Sequence, residues 1–171
     1  MKIVEFLREH QVPFDVVEHQ TTFTARELAA TASTPIYEVA KTVLLRADHG
    51  FQHFVVVLPA NKMLDLAHLS HALGGSEIEL ASEEVLSEFC PDCERGVLPP
   101  FGSQYGLKTI LDSQLLNCET IMFEGNSHRE AIRLKAADFQ RIEEPLIIHI
   151  PNGSAGNTSL NTNRENNSVN S

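Results

Sequence analysis

The heptapeptide Gly96-Val97-Leu98-Pro99-Pro100-Phe101-Gly102 sets a glycine at each end of a proline pair. Glycine admits positive φ and close ligand approach, while proline fixes its own φ. A loop built this way is stiff in the middle and permissive at its ends, which suits holding backbone N–H groups toward developing negative charge. Pro99 and Pro100 cannot donate, so the usable amides are those of Gly96, Val97, Leu98, Phe101 and Gly102. The same punctuation also marks plain surface turns, so the chemistry depends on what faces the loop. Lys41, heading the apolar run Thr42-Val43-Leu44-Leu45, is a cation that a strand could deliver there. A lysine is a mobile point charge for phosphate, ribose or ester oxygens, although a strand-end lysine taken alone reads as solvated.

Other reactive residue types group less tellingly. Cys90-Pro91-Asp92-Cys93 has the spacing of a redox pair or half a zinc site, but no second pair and no His-x-x-x-His follows to complete four ligands. His68 and His71 lie three apart with no acidic or cysteine ligand nearby, as on a solvated helix face. No Ser-His-Asp or Cys-His arrangement is evident. The sequence therefore implies no metal and no cofactor.

The 171 residues fit one domain, residues 1–150, and the 42% hydrophobic and 21% charged fractions are those of a soluble globular chain. No apolar run is long enough for a membrane span, and the first residues do not read as a signal peptide, so a cytoplasmic location without membrane partners is expected. The formal net charge of −10 opposes broad binding along a nucleic-acid backbone and argues against DNA; any RNA would be gripped locally. Residues 151–171 are rich in Asn, Ser, Thr and Gly with almost no apolar residue, and read as a disordered tail. Two Asn-x-Ser sequons within it are chance matches for a cytoplasmic chain.

The elements needed to carry Lys41 and the loop follow from periodicity. Residues 2–10 read as a helix and 14–18 as a half-buried strand. Thr24 with Glu27 forms a capping box opening a helix over 25–31. Residues 41–46 and 51–58 read as two strands joined across Asp48-His49-Gly50, the second apolar enough to be central and covered on both faces. Residues 65–73 read as a helix closed by Gly74-Gly75, 77–80 as a short strand, and 82–89 as a helix with an acidic first turn. Beyond the loop, 109–112, 120–123 and 130–134 read as strands, with a cap at Asp112 or Ser113, a turn at residues 125–128 and a closing helix over 136–142.

Two segments together carry a resemblance: Val39-Ala40-Lys41-Thr42-Val43-Leu44-Leu45, and Asp92-Cys93-Glu94-Arg95 running into the Gly96–Gly102 loop. From about Met1 to Ile142 the chain resembles the YbaK family, whose domain also occurs as the editing insertion of bacterial prolyl-tRNA synthetases. The resemblance implies an α/β fold with a curved mixed central sheet flanked by helices. It implies an aminoacyl-tRNA deacylase that hydrolyses the ester of a mischarged tRNA in trans, with Lys41 and Gly96 lining the pocket. Where the branch acting on cysteinyl-tRNA carries an acidic residue, this chain has Ala131. His128, after Gly125-Asn126-Ser127, looks more like the histidine of the prolyl-tRNA synthetase insertion associated with alanine removal.

On that footing Lys41, Gly96 and His128 are the expected catalytic residues, and Thr24, Pro99, Phe101, Gly102 and Ser127 the expected substrate-binding ones, with Val17 and Leu98 as further walls. The amides beside Gly96 and Gly102 would cradle the ester carbonyl or terminal ribose, whose free hydroxyl would help activate water. Expected partners are the aminoacyl-tRNA acceptor end and a synthetase or elongation factor. A non-catalytic module that recognises a tRNA end or a synthetase, and a Cys90–Cys93 redox protein, are the competing readings.

Overall fold

A computed structural model describes residues 1–48 and 52–153. The tail beyond residue 153 and the apex of the expected turn at residues 49–51 lie outside these. Helices α1 (Ile3–Glu9), α2 (Ala25–Thr31), α3 (Leu66–Ala72), α4 (Glu83–Phe89) and α5 (Ala136–Glu143) surround strands β1 (Asp15–Glu18), β2 (Ala40–Ala47), β3 (Gln52–Pro59), β4 (Ile78–Leu80), β5 (Lys108–Asp112), β6 (Thr120–Glu124), β7 (Glu130–Lys135) and β8 (Leu146–Ile148). The local signals act as expected. Thr24 Oγ1 accepts from Glu27 N–H at 3.0 Å, Ser82 caps α4 through Val85 N–H, and Asp112 accepts from Gln114 N–H. The Glu27 carboxylate reaches back to Phe23 N–H at 2.8 Å, one residue before the cap.

The strands form two ladders. One is three-stranded in the order β1-β7-β6; the other is five-stranded in the order β4-β2-β3-β5-β8. β2 and β3 pair antiparallel with Lys41 opposite Leu58, whereas β3 and β5 run parallel, so the larger sheet is mixed. An isolated parallel bridge between Val39 and Met122 joins the ladders. Two residues beyond that bridge stand Lys41 on one strand and Glu124 on the other, so a single register brings both toward one place.

Burial explains why β3 is nearly continuous in apolar residues. Val57 faces a core shared by α1, α5 and the smaller sheet, including Phe6, Phe101, Phe123 and Phe139. Its neighbours Val56 and Leu58 face the opposite layer with Leu45 and with Leu69 of α3. β8 is the element the sequence reading did not anticipate. It is three residues long and adds to the sheet edge in parallel with β5. A buried clamp secures it: Lys62 Nζ donates to Asp112 Oδ2 at 2.6 Å and to the Ile150 carbonyl at 2.5 Å. No helix among the described residues is long and apolar enough to cross a membrane.

Candidate active site

The residues at the mouth of the loop converge on His128, in the turn between β6 and β7. Nδ1 lies 3.0 Å from Glu124 Oε2 and Nε2 lies 2.8 Å from the Arg95 carbonyl oxygen. A carbonyl only accepts, so Nε2 carries a proton, and a second proton is shared between Nδ1 and the carboxylate. Burial by itself would lower the His128 pKa. The bond to the Arg95 carbonyl and the carboxylates of Glu124 and Glu94 outweigh it, and the imidazole is held above its ordinary value. Burial likewise lifts Glu124; His128 pulls it back, but Glu94 and Glu27 push it further up, and it ends above the usual carboxylate range. The His128 carbonyl accepts from Thr22 N–H at 2.9 Å, and the exposed Phe23 ring lies 4.9 Å from the imidazole.

Gly96 sits directly beside this ring. Its φ is +86°, and a Cβ built there would stand 3.9 Å from His128 Cε1 and Nε2. The left-handed conformation, more than space, demands glycine. A second clip, Glu94 N–H to the Asn126 carbonyl at 2.8 Å, joins the loop's approach to the same turn. Val97 N–H closes a turn onto the Glu94 carbonyl at 3.1 Å. With Val97 and Gly102 engaged, the amides of Gly96, Leu98 and Phe101 have no hydrogen-bond partner among the described residues; Phe101 is fully buried, and of the three only Gly96 is exposed beside the imidazole.

Lys41 is half-buried on β2 and has no carboxylate partner among the described residues. Burial, and then the nearby Arg26 guanidinium, lower its pKa. The first turn of α2 carries charges that act on both groups, Arg26 on Lys41 and Glu27 on Glu124. Among the described residues no group of three or more His, Cys, Asp or Glu is placed to hold a metal ion. His68 and His71 lie on the exposed side of α3.

The sequence profile described as "Aminoacyl-tRNA editing domain" matches residues 19–142. The chain belongs to this editing-domain family. It is 26% identical over 151 residues to the multifunctional Ser/Thr-tRNA deacylase ProXp-y of Escherichia coli K12, covering 86% of this chain and 90% of that one. It is 22% identical over 144 residues to the prolyl-tRNA editing protein ProX of Acetoanaerobium sticklandii, covering 82% and 87%. A solved structure described as a trans-editing enzyme for prolyl tRNA synthetase superimposes with a TM-score of 0.71 at 21% identity, covering 82% of this chain and 87% of that one. The mixed α/β architecture is thus that of known editing-domain folds.

Within this editing domain the expected site residues separate into two groups. Gly96, His128 and Ser127 lie together, Ser127 Oγ accepting from Arg129 N–H at 3.2 Å. Lys41 lies on β2, two residues past the Val39–Met122 bridge. Phe101 does not reach the site: it is fully buried, with its ring 4.8 Å from Phe139 and 5.3 Å from Phe6. Gly102 also leaves the expected role. Its N–H donates to Thr109 Oγ1 at 3.0 Å, and an added Cβ would stand 2.5 Å from that oxygen. Close packing is its reason for being glycine. Pro99 and Leu98 are buried, and the Thr24 hydroxyl is spent on the helix cap. Val17 packs beside Leu28 and Ala29.

Glu124 and Phe23 were missed. A carboxylate four residues before a turn histidine was a legible signal, because a strand-turn-strand brings those positions together. Phe23 had no signal, since an exposed aromatic before an N-cap is indistinguishable from a hydrophobic staple.

Proposed function

We propose that this protein is an aminoacyl-tRNA deacylase acting in trans, hydrolysing the ester that joins a small amino acid, alanine first, to the 3′ end of a tRNA. The observation that carries the reading is the polarity of the site. Arg26 acts on Lys41, Glu124 pairs with His128, and Gly96 lies beside the imidazole with its amide uncommitted; we read the first pair as the cationic side and the second as the anionic side. An aminoacyl ester has matching polarity, a phosphate and ribose at one end and an α-ammonium at the other. Lys41 would hold the ribose or phosphate, and the Glu124 carboxylate would face the ammonium. The amides of Gly96 and Leu98 would meet the carbonyl oxygen as it becomes negative.

No covalent nucleophile is needed. The free hydroxyl of the terminal ribose would orient or activate water, and the protein would supply position. His128 has both ring nitrogens engaged, so its role is to hold the Arg95–Gly96 backbone in place rather than to abstract a proton. The names of the two curated relatives, a Ser/Thr-tRNA deacylase and a prolyl-tRNA editing protein, support the reaction class. The acceptor end is the partner, alone or presented by a synthetase or elongation factor.

Incubation with alanyl-, seryl- and cysteinyl-tRNA, followed by release of free amino acid, tests the reading. Release from alanyl-tRNA is expected. Release from seryl-tRNA alone would keep the reaction and replace the amino acid, while no release from any would leave a non-catalytic module that binds an acceptor end. A tRNA lacking the terminal ribose's free hydroxyl should be cleaved far more slowly.

A further inference from the structure

We propose that Cys90 and Cys93 form a reversible thiol–disulfide exchange site whose state sets the order of the Gly96 loop. The two sulfurs are bonded and lie immediately before the loop, at the C-terminal end of α4. Asn126 binds them to the opposite turn. Its Nδ2 lies 3.4 Å from Cys93 Sγ and 3.9 Å from Cys90 Sγ, its carbonyl accepts from Glu94 N–H, and its Oδ1 accepts from Ile3 N–H at 2.8 Å. One asparagine thus contacts the disulfide, the loop's approach and α1, two residues before His128.

The two sulfurs differ in access. Cys90 is 1% exposed and packs with Leu44, Val55 and Leu98; the Tyr105 hydroxyl, kept protonated by burial, lies 3.5 Å from its sulfur. Cys93 is part-exposed. A thiolate such as that of glutathione therefore attacks Cys93 Sγ. The Cys90–Cys93 bond breaks, Cys90 leaves as a thiolate and takes a proton from water, and a mixed disulfide remains on Cys93. A second thiolate attacks the glutathione sulfur, releasing Cys93 and forming glutathione disulfide. Two thiols are oxidised as one protein disulfide is reduced, and the reverse exchange restores the bond. Reduction removes the cross-link that closes the 90–93 turn, so the Glu94–Asn126 and Arg95–His128 clips hold a looser segment.

Only the activity readout of this inference rests on the deacylase reading. The full chain is equilibrated in buffers of graded reduced-to-oxidised glutathione, and alkylation under denaturing conditions counts its thiols. With three cysteines and one disulfide, the count should rise from one, Cys118, to three. Amide exchange at Glu94 and Val97 should quicken roughly tenfold in step, and kcat/KM on the hydrolysed aminoacyl-tRNA should fall about tenfold. Cys93→Ala, and separately Cys90→Ser/Cys93→Ser, should match the reduced form in amide exchange and turnover at every ratio. A count fixed at three, or one that changes while exchange does not, overturns the proposal. Exchange that follows the count without hydrolysis of any tRNA sinks the deacylase reading and keeps this one. Hydrolysis at a rate indifferent to the count, with indifferent exchange, does the opposite.

Discussion

The Nε2 atom of His128 lies 2.8 Å from the carbonyl oxygen of Arg95, 33 residues away in the chain. That bond fixes the peptide leading into Gly96 against the β6–β7 turn, and it makes an imidazole the brace of a loop whose own residues are mostly glycine, proline and apolar.

If His128 is a brace, its titration should appear in stability. His128 and Glu124 both retain protons in the fold that the unfolded chain would release. The His128 contribution is complete below the unfolded histidine value of about 6.5 and is lost as pH rises through the higher folded value; that of Glu124 has the same sign but begins to be lost above the unfolded carboxylate value of about 4.3. The gap in Tm between wild type and His128→Gln should narrow on going from about pH 6 to about pH 9. A gap that widened over that range would reverse the assignment.

Lys41→Met should separate activity from stability. An unpaired, half-buried ammonium is kept at a cost, so the variant should melt at the same or a higher temperature while kcat/KM for deacylation falls by roughly a hundredfold. Paired melting and turnover measurements decide this. A variant of unchanged turnover would remove Lys41 from the site.

The two loop glycines should fail differently. Gly96→Ala places a side chain at φ +86° with an expected loss of about 1–2 kcal/mol from the left-handed backbone, and its deacylation should fall well beyond what that loss explains. Gly102→Ala drives a methyl group into Thr109 Oγ1 and Val55 Cγ2, and overpacking of this kind costs about 1–3 kcal/mol. Any activity it loses should return when the protein is stabilised, for instance by an osmolyte.

Breaking the buried clamp beneath β8 should be the largest purely structural effect. Asp112 is fully buried, and Lys62→Met would strand its carboxylate, at roughly 3–5 kcal/mol. Urea unfolding measures it directly, and a cost under about 1 kcal/mol would mean that solvent reaches the pair, as in an exposed salt bridge.

Much of this molecule could be read before its fold was known. Thr24 announced its cap, and the choice of Asp112 or Ser113 was narrowed to two neighbours, because capping is a bond between residues two or three apart. The apolar run of residues 41–46 and the nearly continuous apolar run of β3 announced two adjacent strands, the second central. Phe101 shows where such reading stopped. An aromatic beside a proline pair reads equally as pocket wall or core, and only the packing of Phe6 and Phe139 against it decided for core. β8 escaped because three residues carry no periodicity and the clamp that holds them, Lys62 to Asp112, spans 50 positions.

The sequence by itself determined the elements other than β8, the lysine at the head of a buried strand, the glycine-proline loop and through them the editing-domain family, because these depend on neighbours and spacing along the chain. Only the tertiary structure decided which glycine faces the site, that His128 braces Arg95 and pairs with Glu124, and that Cys90 and Cys93 meet Asn126. Those contacts join positions more than thirty residues apart or across a turn whose path no local pattern specifies.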